Sequence, residues 1–288
     1  METFQDPIVP RRRLRVELKR AREMAALTQE EVARAMDWSP SKIIRIEGGQ
    51  VSISTNDLRA LLNYYGATVK TPISDLLDLA RASRGGSFYQ KYDDLLKPGF
   101  REYLAHESAA SVVRQYDPIL IPGLLQIKEY SDAILDVAGF DPNTVNKAWT
   151  VRQRRQELHV LEKPPDMFFI IDEAALRRHI GGSQVMRHQL EVLKEFWAAT
   201  HITLQVLTFT CGAHPGVFGN FILLEFADTD LDDLVHLEGI NSVTIRDDVE
   251  LIKRYLDRFL ELEQLALSPD ESAALLGKLI GEMSSPTK

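Results

Sequence analysis

The chain has a single cysteine, Cys211, and few of the features that mark a secreted or membrane protein. A lone cysteine excludes an internal disulfide and is typical of a reducing compartment. No apolar run reaches about 18 residues, the length that a membrane-spanning helix needs. No apolar segment follows the N-terminal charges, as it would in a signal peptide. We therefore expect a cytoplasmic protein, associated with the nucleoid if it binds DNA, that makes no membrane contact.

The composition is otherwise that of an ordinary globular protein. The 288 residues are 44% hydrophobic and 26% charged, which indicates about two domains and argues against disorder. A small, polar stretch at residues 81–87 reads as a linker. We expect domains at residues 1–84 and 101–288, separated by a linker at 85–100.

Residues 27–49 read LTQEEVARAMDWSPSKIIRIEGG and predict two short helices joined by a tight turn. Thr28 followed by Glu31 is a capping-box pattern, which starts the first helix at Gln29. The apolar residues of that helix fall on one narrow face, with a small residue where a second helix can cross it. These residues are Val32, Ala33 and Met36.

The second helix of this pair has its own start and stop signals. Ser39 is placed to cap it, Pro40 suits its first position, and glycine at residue 48 ends it, which predicts a helix over 40–47. Ile43 and Ile46 face inward by helical spacing. The opposite side is left for a partner, and it carries Ser41, Lys42 and Arg45.

This pattern resembles the helix-turn-helix domain of the XRE/Cro-type repressors. The resemblance implies a lambda-repressor-like bundle in which Gln29 binds a phosphate while Ser41, Lys42 and Arg45 approach base edges in the major groove. Asp37 stands where a turn glycine is common, and it tolerates the left-handed backbone that the turn needs. Double-stranded operator DNA is therefore the expected partner, bound by a homodimer.

The distribution of charge supports a DNA-binding N-terminal domain. The whole chain has a net charge of −8, but its first 70 residues hold twelve Lys and Arg against nine Asp and Glu. Many of these basic residues lie at the start of the predicted first helix, where they can neutralise phosphates. The set that we expect to contact DNA comprises Arg11, Arg12, Arg13 and Arg15, together with Ser39 in the turn.

The remaining sequence predicts a mixed α+β domain with a small mixed sheet. Residues 101–115 are predicted as a helix, and later helices are predicted to start near Gly123 and at Asp141-Pro142. Apolar runs predict strands at 168–171, 202–209, 217–226 and 234–238, with a turn at 228–230. The first two strands flank a helix over 185–200 and so form a candidate parallel unit. Helices over 249–265 and from Ser268 onward complete the chain.

This second region also resembles a known family. The landmarks IPGLLQ at 121–126, RQRRQ at 152–156, DEAALRR at 172–178 and GAHPG at 212–216 are similar to those of the WhiJ-like group of actinobacterial regulators. The resemblance implies a transcription factor with an antitoxin-like C-terminal domain, often acting with a small, separately encoded partner protein. An alternative follows from it, namely an antitoxin-like protein that sequesters such a partner and regulates its own gene.

We find no pattern that predicts catalysis, a metal site or a cofactor. The histidines lack H-E-x-x-H spacing, and there is neither a P-loop nor a G-x-S-x-G sequence. Ser39 and Lys42 match S-x-x-K, but the hydroxyl is expected to act as a cap. Ala138-Gly139 is the type of bond that self-cleaving repressors cut, although the predicted flanking helices do not fit their all-strand protease domain. We expect a protein that is not an enzyme.

A loop over 211–218 is the remaining candidate site. Cys211, His214 and Phe218 lie in a stretch that is poor in charge and rich in glycine, proline and aromatic residues, so they could line a pocket for an effector or partner. The same composition is typical of a structural turn. Cys211 could be a redox sensor, but a lone cysteine beside a strand is usually a small buried apolar residue.

Overall fold

A computed structural model describes residues 6–66, 71–97, 99–227, 231–239 and 243–284. The chain divides into two compact units. The first comprises Met1–Gln90 with Asp228–Asp232, and the second comprises Lys91–Ala227 with Asp233–Lys288. No helix among the described residues is long and apolar enough to span a membrane.

The first unit is a bundle of helices, as predicted. Its described residues form α1 Ile8–Met24, α2 Gln29–Ala35, α3 Pro40–Glu47, α4 Thr55–Tyr64 and α5 Ile73–Ala82. Helix α2 starts at the predicted residue, although it ends before Met36, and α3 has the predicted bounds, because their start signals operate locally. The Thr28 hydroxyl accepts the Glu31 amide and the Glu31 carboxylate accepts the Thr28 amide, which completes the capping box.

Two details of the turn between α2 and α3 test the sequence interpretation. Asp37 adopts the expected left-handed backbone, with φ of 53°. The prediction that the Ser39 side chain caps α3 is wrong. That side chain makes no cap hydrogen bond, and its Oγ instead lies 3.0 Å from Ser41 Oγ. Proline at the first position of α3 removes one orphan amide, so this helix start depends less on a side-chain acceptor.

The core of the first unit is built from the apolar faces of its helices. Ile43 of α3 is fully buried, and Ile46 is 4% exposed. They pack in one cluster with residues of the other four helices, including Leu18, Val32, Ala33, Leu58, Leu61 and Leu76. Burial of these side chains, at roughly 1.5–3 kcal/mol each, holds the short α3 in a helix that would be marginal alone.

The second unit is a six-stranded mixed sheet with helices, which confirms the α+β prediction. Its strands are β1 Val112–Asp117, β2 Asp166–Asp172, β3 Ile202–Leu207, β4 Phe221–Glu225, β5 Leu234–Glu238 and β6 Val243–Arg246. Its helices are α6 Phe100–Glu107, α7 Lys128–Val137, α8 Pro142–Gln156, α9 Glu173–Arg177, α10 Ser183–Phe196, α11 Val249–Leu265 and α12 Pro269–Ser284.

The order of strands across the sheet is β3-β2-β1-β4-β5-β6. Strands β1, β2 and β3 are parallel, whereas β4 is antiparallel to β1 and the remaining pairs are antiparallel. The predicted parallel unit is therefore confirmed as β2-α10-β3. The predicted turn at residues 228–230 lies outside the described residues.

Two predictions for this unit are wrong in part, and one strand was not predicted. Residues 101–115 are not one helix, since α6 ends at Glu107 and the rest forms β1. The polar residues Arg114, Gln115 and Asp117 hid this strand, which lies in the middle of the sheet. The strand predicted over 217–226 is shorter because Pro215–Phe218 forms a 3₁₀ turn, and β6 was not predicted.

The two faces of the sheet differ in chemistry. On one face, Tyr116, Phe221 and Leu223 pack with Phe259 and Leu262 of α11 in an apolar cluster. On the opposite face, the strand register places the side chains of Gln115, Ile222 and His236 in one row across β1, β4 and β5. Asp117 lies two residues further along β1 on this second face.

Burial on the second face raises the pKa of the Asp117 carboxyl to about 7, against a hydrogen bond from Gln115 that lowers it. The unfolded chain releases this proton near pH 4. Between these pH values the folded state holds the proton and the unfolded state does not, so Asp117 reduces stability as the pH rises.

We predict that Asp117→Asn, a neutral isostere, stabilises the protein by about 2–4 kcal/mol above pH 7 and by little at pH 4. Urea unfolding across this pH range measures the difference. Asp136→Asn replaces an exposed carboxylate of α7 and serves as the control. An Asp117→Asn effect independent of pH would contradict the assigned cause.

Candidate nucleic-acid interface

Helices α2 and α3 are fixed to each other by a short backbone-bonded turn. The Trp38 amide donates to the Ala33 carbonyl at 2.8 Å, and the Met36 amide donates to the Val32 carbonyl at 3.0 Å. Ala33 is only 2% exposed, so the two helices approach closely where it lies. This rigid pair of crossed helices is the geometry in which a second helix is presented to the major groove.

The inner end of α3 is held by the carboxylate of Glu47. Arg22 of α1 donates to both Glu47 oxygens, at 2.8 and 3.0 Å, and Gln29 of α2 donates to one of them at 2.8 Å. The hydrogen bonds that Arg22 donates to the Glu47 carboxylate raise the pKa of Arg22. The Glu47 side chain is 3% exposed, so this charge is compensated inside the bundle. One carboxylate thereby ties three helices together.

The outer face of α3 consists of Ser41, Ile44 and Arg45, which are all exposed. They lie on one side because their spacing is three and four residues. The Arg45 guanidinium makes no hydrogen bond or ion pair with any residue that the structure describes, whereas the Arg45 carbonyl accepts the Gln50 amide. Ile44 is 51% exposed, and the sequence interpretation missed it. An isoleucine outside the inward spacing of Ile43 and Ile46 was the available signal.

Lys42 lies at the edge of this face and is already engaged. Its Nζ is 3.2 Å from Asp57 Oδ2 of α4 and 3.8 Å from the centre of the Trp38 ring. Both Lys42 and Asp57 are more than one-third exposed, so this ion pair is weak and can exchange for another anion. Gln29, the expected phosphate ligand, instead donates to Glu47 in this structure.

The basic residues at the start of α1 bind backbone carbonyls. Arg11 donates to Ser83 at 2.8 Å, Arg12 to Asp232 at 2.6 Å, and Arg15 to Gly48 at 3.4 Å. Ser83 and Gly48 are the C-terminal caps of α5 and α3, where cations complement the helix dipole. Arg13 is half-buried. These arginines of α1 therefore stabilise the bundle itself, which the sequence alone did not indicate.

The loop at 211–218 has the geometry of a turn. His214 Nδ1 accepts the Gly216 amide at 3.2 Å, and Gly216 lies so close to Tyr116 that an added Cβ would be 2.5 Å from its ring. Burial raises the pKa of the Cys211 thiol, which disfavours the reactive thiolate. Phe218 is 83% exposed and lies beside Arg258 of α11. His214 thus has a structural contact, whereas Phe218 is presented to solvent.

The comparisons with known families agree with this geometry. A model described as a helix-turn-helix domain matches residues 13–71, so the first unit is a DNA-binding domain of the class that transcriptional regulators carry. A second model, a domain of unknown function (DUF5753), matches residues 100–278. The chain therefore belongs to the DUF5753 family. Neither a curated protein nor a solved structure matches it.

We predict that Glu47→Ala lowers the free energy of unfolding by about 3–5 kcal/mol, because it leaves Arg22 without its partner and Gln29 without an acceptor. Glu23→Ala is the matched control, since Glu23 is 3.7 Å from Arg22 but more than half exposed, and it should cost about 0–1 kcal/mol. Chemical denaturation gives both values. Equal effects of the two substitutions would show that Glu47 does not hold the bundle.

Proposed function

We propose that this protein is a sequence-specific transcriptional regulator of the XRE type, which reads DNA by placing α3 in the major groove. The observation that carries the proposal is the uncommitted outer face of α3, formed by Ser41, Ile44 and Arg45, on a helix whose inner face is fully packed. A face of this kind has no structural purpose within its own bundle. Mixed polar, apolar and cationic side chains are what base edges require.

Each of these side chains has a suitable base partner. The Arg45 guanidinium can donate two parallel hydrogen bonds to guanine, the commonest specific contact in the major groove. Ile44 can contact a thymine methyl, and the Ser41 hydroxyl can donate or accept. Helix α3 has eight residues and a length of about 12 Å, so it reads only a few base pairs.

Phosphate contacts supply the remaining affinity. Gln29 has a second amide proton beyond the one bound by Glu47, and it lies at the start of α2, where the helix dipole favours an anion. Lys42 can exchange the exposed Asp57 for a phosphate or reach a base edge from the side of α3. Ser39 and the basic residues of α1, including Arg13, are proposed to contact the backbone nearby.

We predict that Arg45→Ala weakens binding by about 1–3 kcal/mol on a duplex that the protein has selected from a random pool. The substitution should also relax the preference for one base pair. Arg81→Ala on α5, which removes an exposed arginine paired with Asp78, serves as the control and should bind as the wild type. Titration of selected and scrambled duplexes measures both effects. Equal loss on the two duplexes would assign Arg45 to a phosphate and contradict base reading.

We further propose that the protein acts as a homodimer. One short recognition helix contacts few bases, so a two-fold pair on a palindromic site doubles the specific contacts. The second unit offers a surface for this pairing, because Phe209, Val217 and Phe218 are between 59% and 83% exposed within one short segment. Exposed apolar groups clustered in this way are typical of protein interfaces.

The expected sedimentation mass is therefore near twice the chain mass of 32.6 kDa. Phe218→Ser should weaken the dimer at least about tenfold by removing an interface residue. Val160→Ser, which replaces another strongly exposed apolar residue, should not. A monomeric wild type that copurifies with a small protein through this segment would favour the antitoxin-like alternative instead.

A further inference from the structure

The second unit contains a cavity of about 600 Å³ between the polar face of the sheet and helices α7 and α8. Cavities of this size are typical of sites for small organic molecules. One wall is apolar and is formed by side chains of the two helices, including Ile134, Leu135, Ala148 and Val151. The opposite wall is the row of strand residues that contains Gln115, Asp117 and His236.

The sheet wall contains polar atoms that lack a hydrogen-bond partner in the described part of the chain. Gln115 and His236 are 5% and 1% exposed, yet Gln115 Oε1 and both ring nitrogens of His236 bind no other atom of the described chain. Gln126 also lines the cavity. Its amide nitrogen donates to the Ile121 carbonyl at 2.6 Å, but its Oε1 has no partner among the described residues. Buried polar groups are normally satisfied, so such a concentration requires a reason.

The charges around the cavity are also incompletely paired. Arg155 binds Glu107 at 2.8 Å, and Lys97 binds Glu238 at 2.7 Å. Arg152 has no carboxylate partner among the described residues and donates only to Ser131 Oγ at 3.1 Å and the Gly123 carbonyl at 2.9 Å. A guanidinium beside an apolar cavity without a counter-ion is costly.

We propose that this cavity binds a small amphipathic organic acid, with its carboxylate paired to Arg152 and its apolar body against Ile134, Leu135 and Val151. A monoanion matches Arg152, the guanidinium of the described cavity lining that has no carboxylate in direct contact, whereas a phosphate dianion would need further positive charge. The apolar helix wall favours a hydrocarbon body over a highly polar metabolite. The side-chain oxygens of Gln115 and Asp117 accept hydrogen bonds from donor groups of the ligand.

Burial supports this assignment. It lowers the pKa of Arg152 to about 9 and that of His236 to about 4, so His236 is neutral and can both donate and accept. Arg152 remains a cation at neutral pH, and a bound carboxylate would raise its pKa back toward the ordinary value. The role of this cavity as the effector site of a regulator rests on the proposed function. Binding of the acid itself requires no DNA.

The test uses the full chain with two pairs of probes, naphthalene-1-acetic acid with its amide and octanoic acid with its amide. Each amide has nearly the shape of its acid but no charge, so calorimetric titration isolates the contribution of the carboxylate. We expect each acid to bind at least tenfold more tightly than its amide. Absence of acid binding below about 1 mM, or equal binding of acid and amide, would overturn the proposal.

Two variants locate the site. Arg152→Met should remove the preference for the acids and leave amide binding intact, whereas Arg154→Met, a neighbour on α8 outside the cavity, should keep the preference. Ala148→Trp fills the cavity from its apolar wall and should abolish binding of all four probes, with circular dichroism confirming the fold. Persistence of the acid preference in Arg152→Met, or of binding in Ala148→Trp, would place the site elsewhere.

These results are separable from the proposed function. A duplex titration on the same protein samples tests DNA binding independently of the probes. Acid binding without DNA binding would sustain the cavity and contradict the regulator, and the reverse result would contradict the cavity alone.

Discussion

The carboxylate of Glu47 determines how α3 is presented, because it binds one group from each of the two helices packed behind it. Arg22 and Gln29 lie 2.8 Å from its oxygens. The helix has only eight residues and would not be stable alone. Its inner face is therefore fixed by Ile43, Ile46 and this buried charge cluster, and its outer face carries the exposed residues Ser41, Ile44 and Arg45. The proposed recognition of DNA depends on this separation of the two faces.

A similar separation occurs in the second unit, between the two faces of one sheet. The face toward α11 is an apolar cluster around Tyr116, Phe221 and Phe259, which supplies the hydrophobic stabilisation. The other face carries the buried Asp117 carboxyl and the polar atoms of Gln115 and His236 that have no partner in the described chain, and burial of such groups reduces stability. A fold that retains such residues in a central strand sacrifices stability at that place, as proteins commonly do at binding sites.

Local signals predicted the first unit well and the second only in part. Caps and breakers such as Thr28, Pro40 and the glycine after Glu47 operate within a few residues, so the bounds of α2 and α3 could be derived. Strand β1 was missed because Gln115 and Asp117 face a cavity that only the assembled sheet creates, and because Arg114 pairs with Glu225 of the neighbouring strand β4. The engagement of Arg11 and Gln29 by other parts of the bundle was likewise invisible, since those contacts join residues 18 to 72 positions apart.

The most direct measurement is the affinity of the full chain for a selected duplex over a range of salt concentrations. A bundle that presents α3 to the major groove and neutralises phosphates must release counter-ions on binding. We predict that the logarithm of the association constant falls linearly with the logarithm of the salt concentration. The slope should be about −0.9 for each phosphate contacted. Correctly folded protein whose affinity for every duplex is absent or independent of salt would contradict the account.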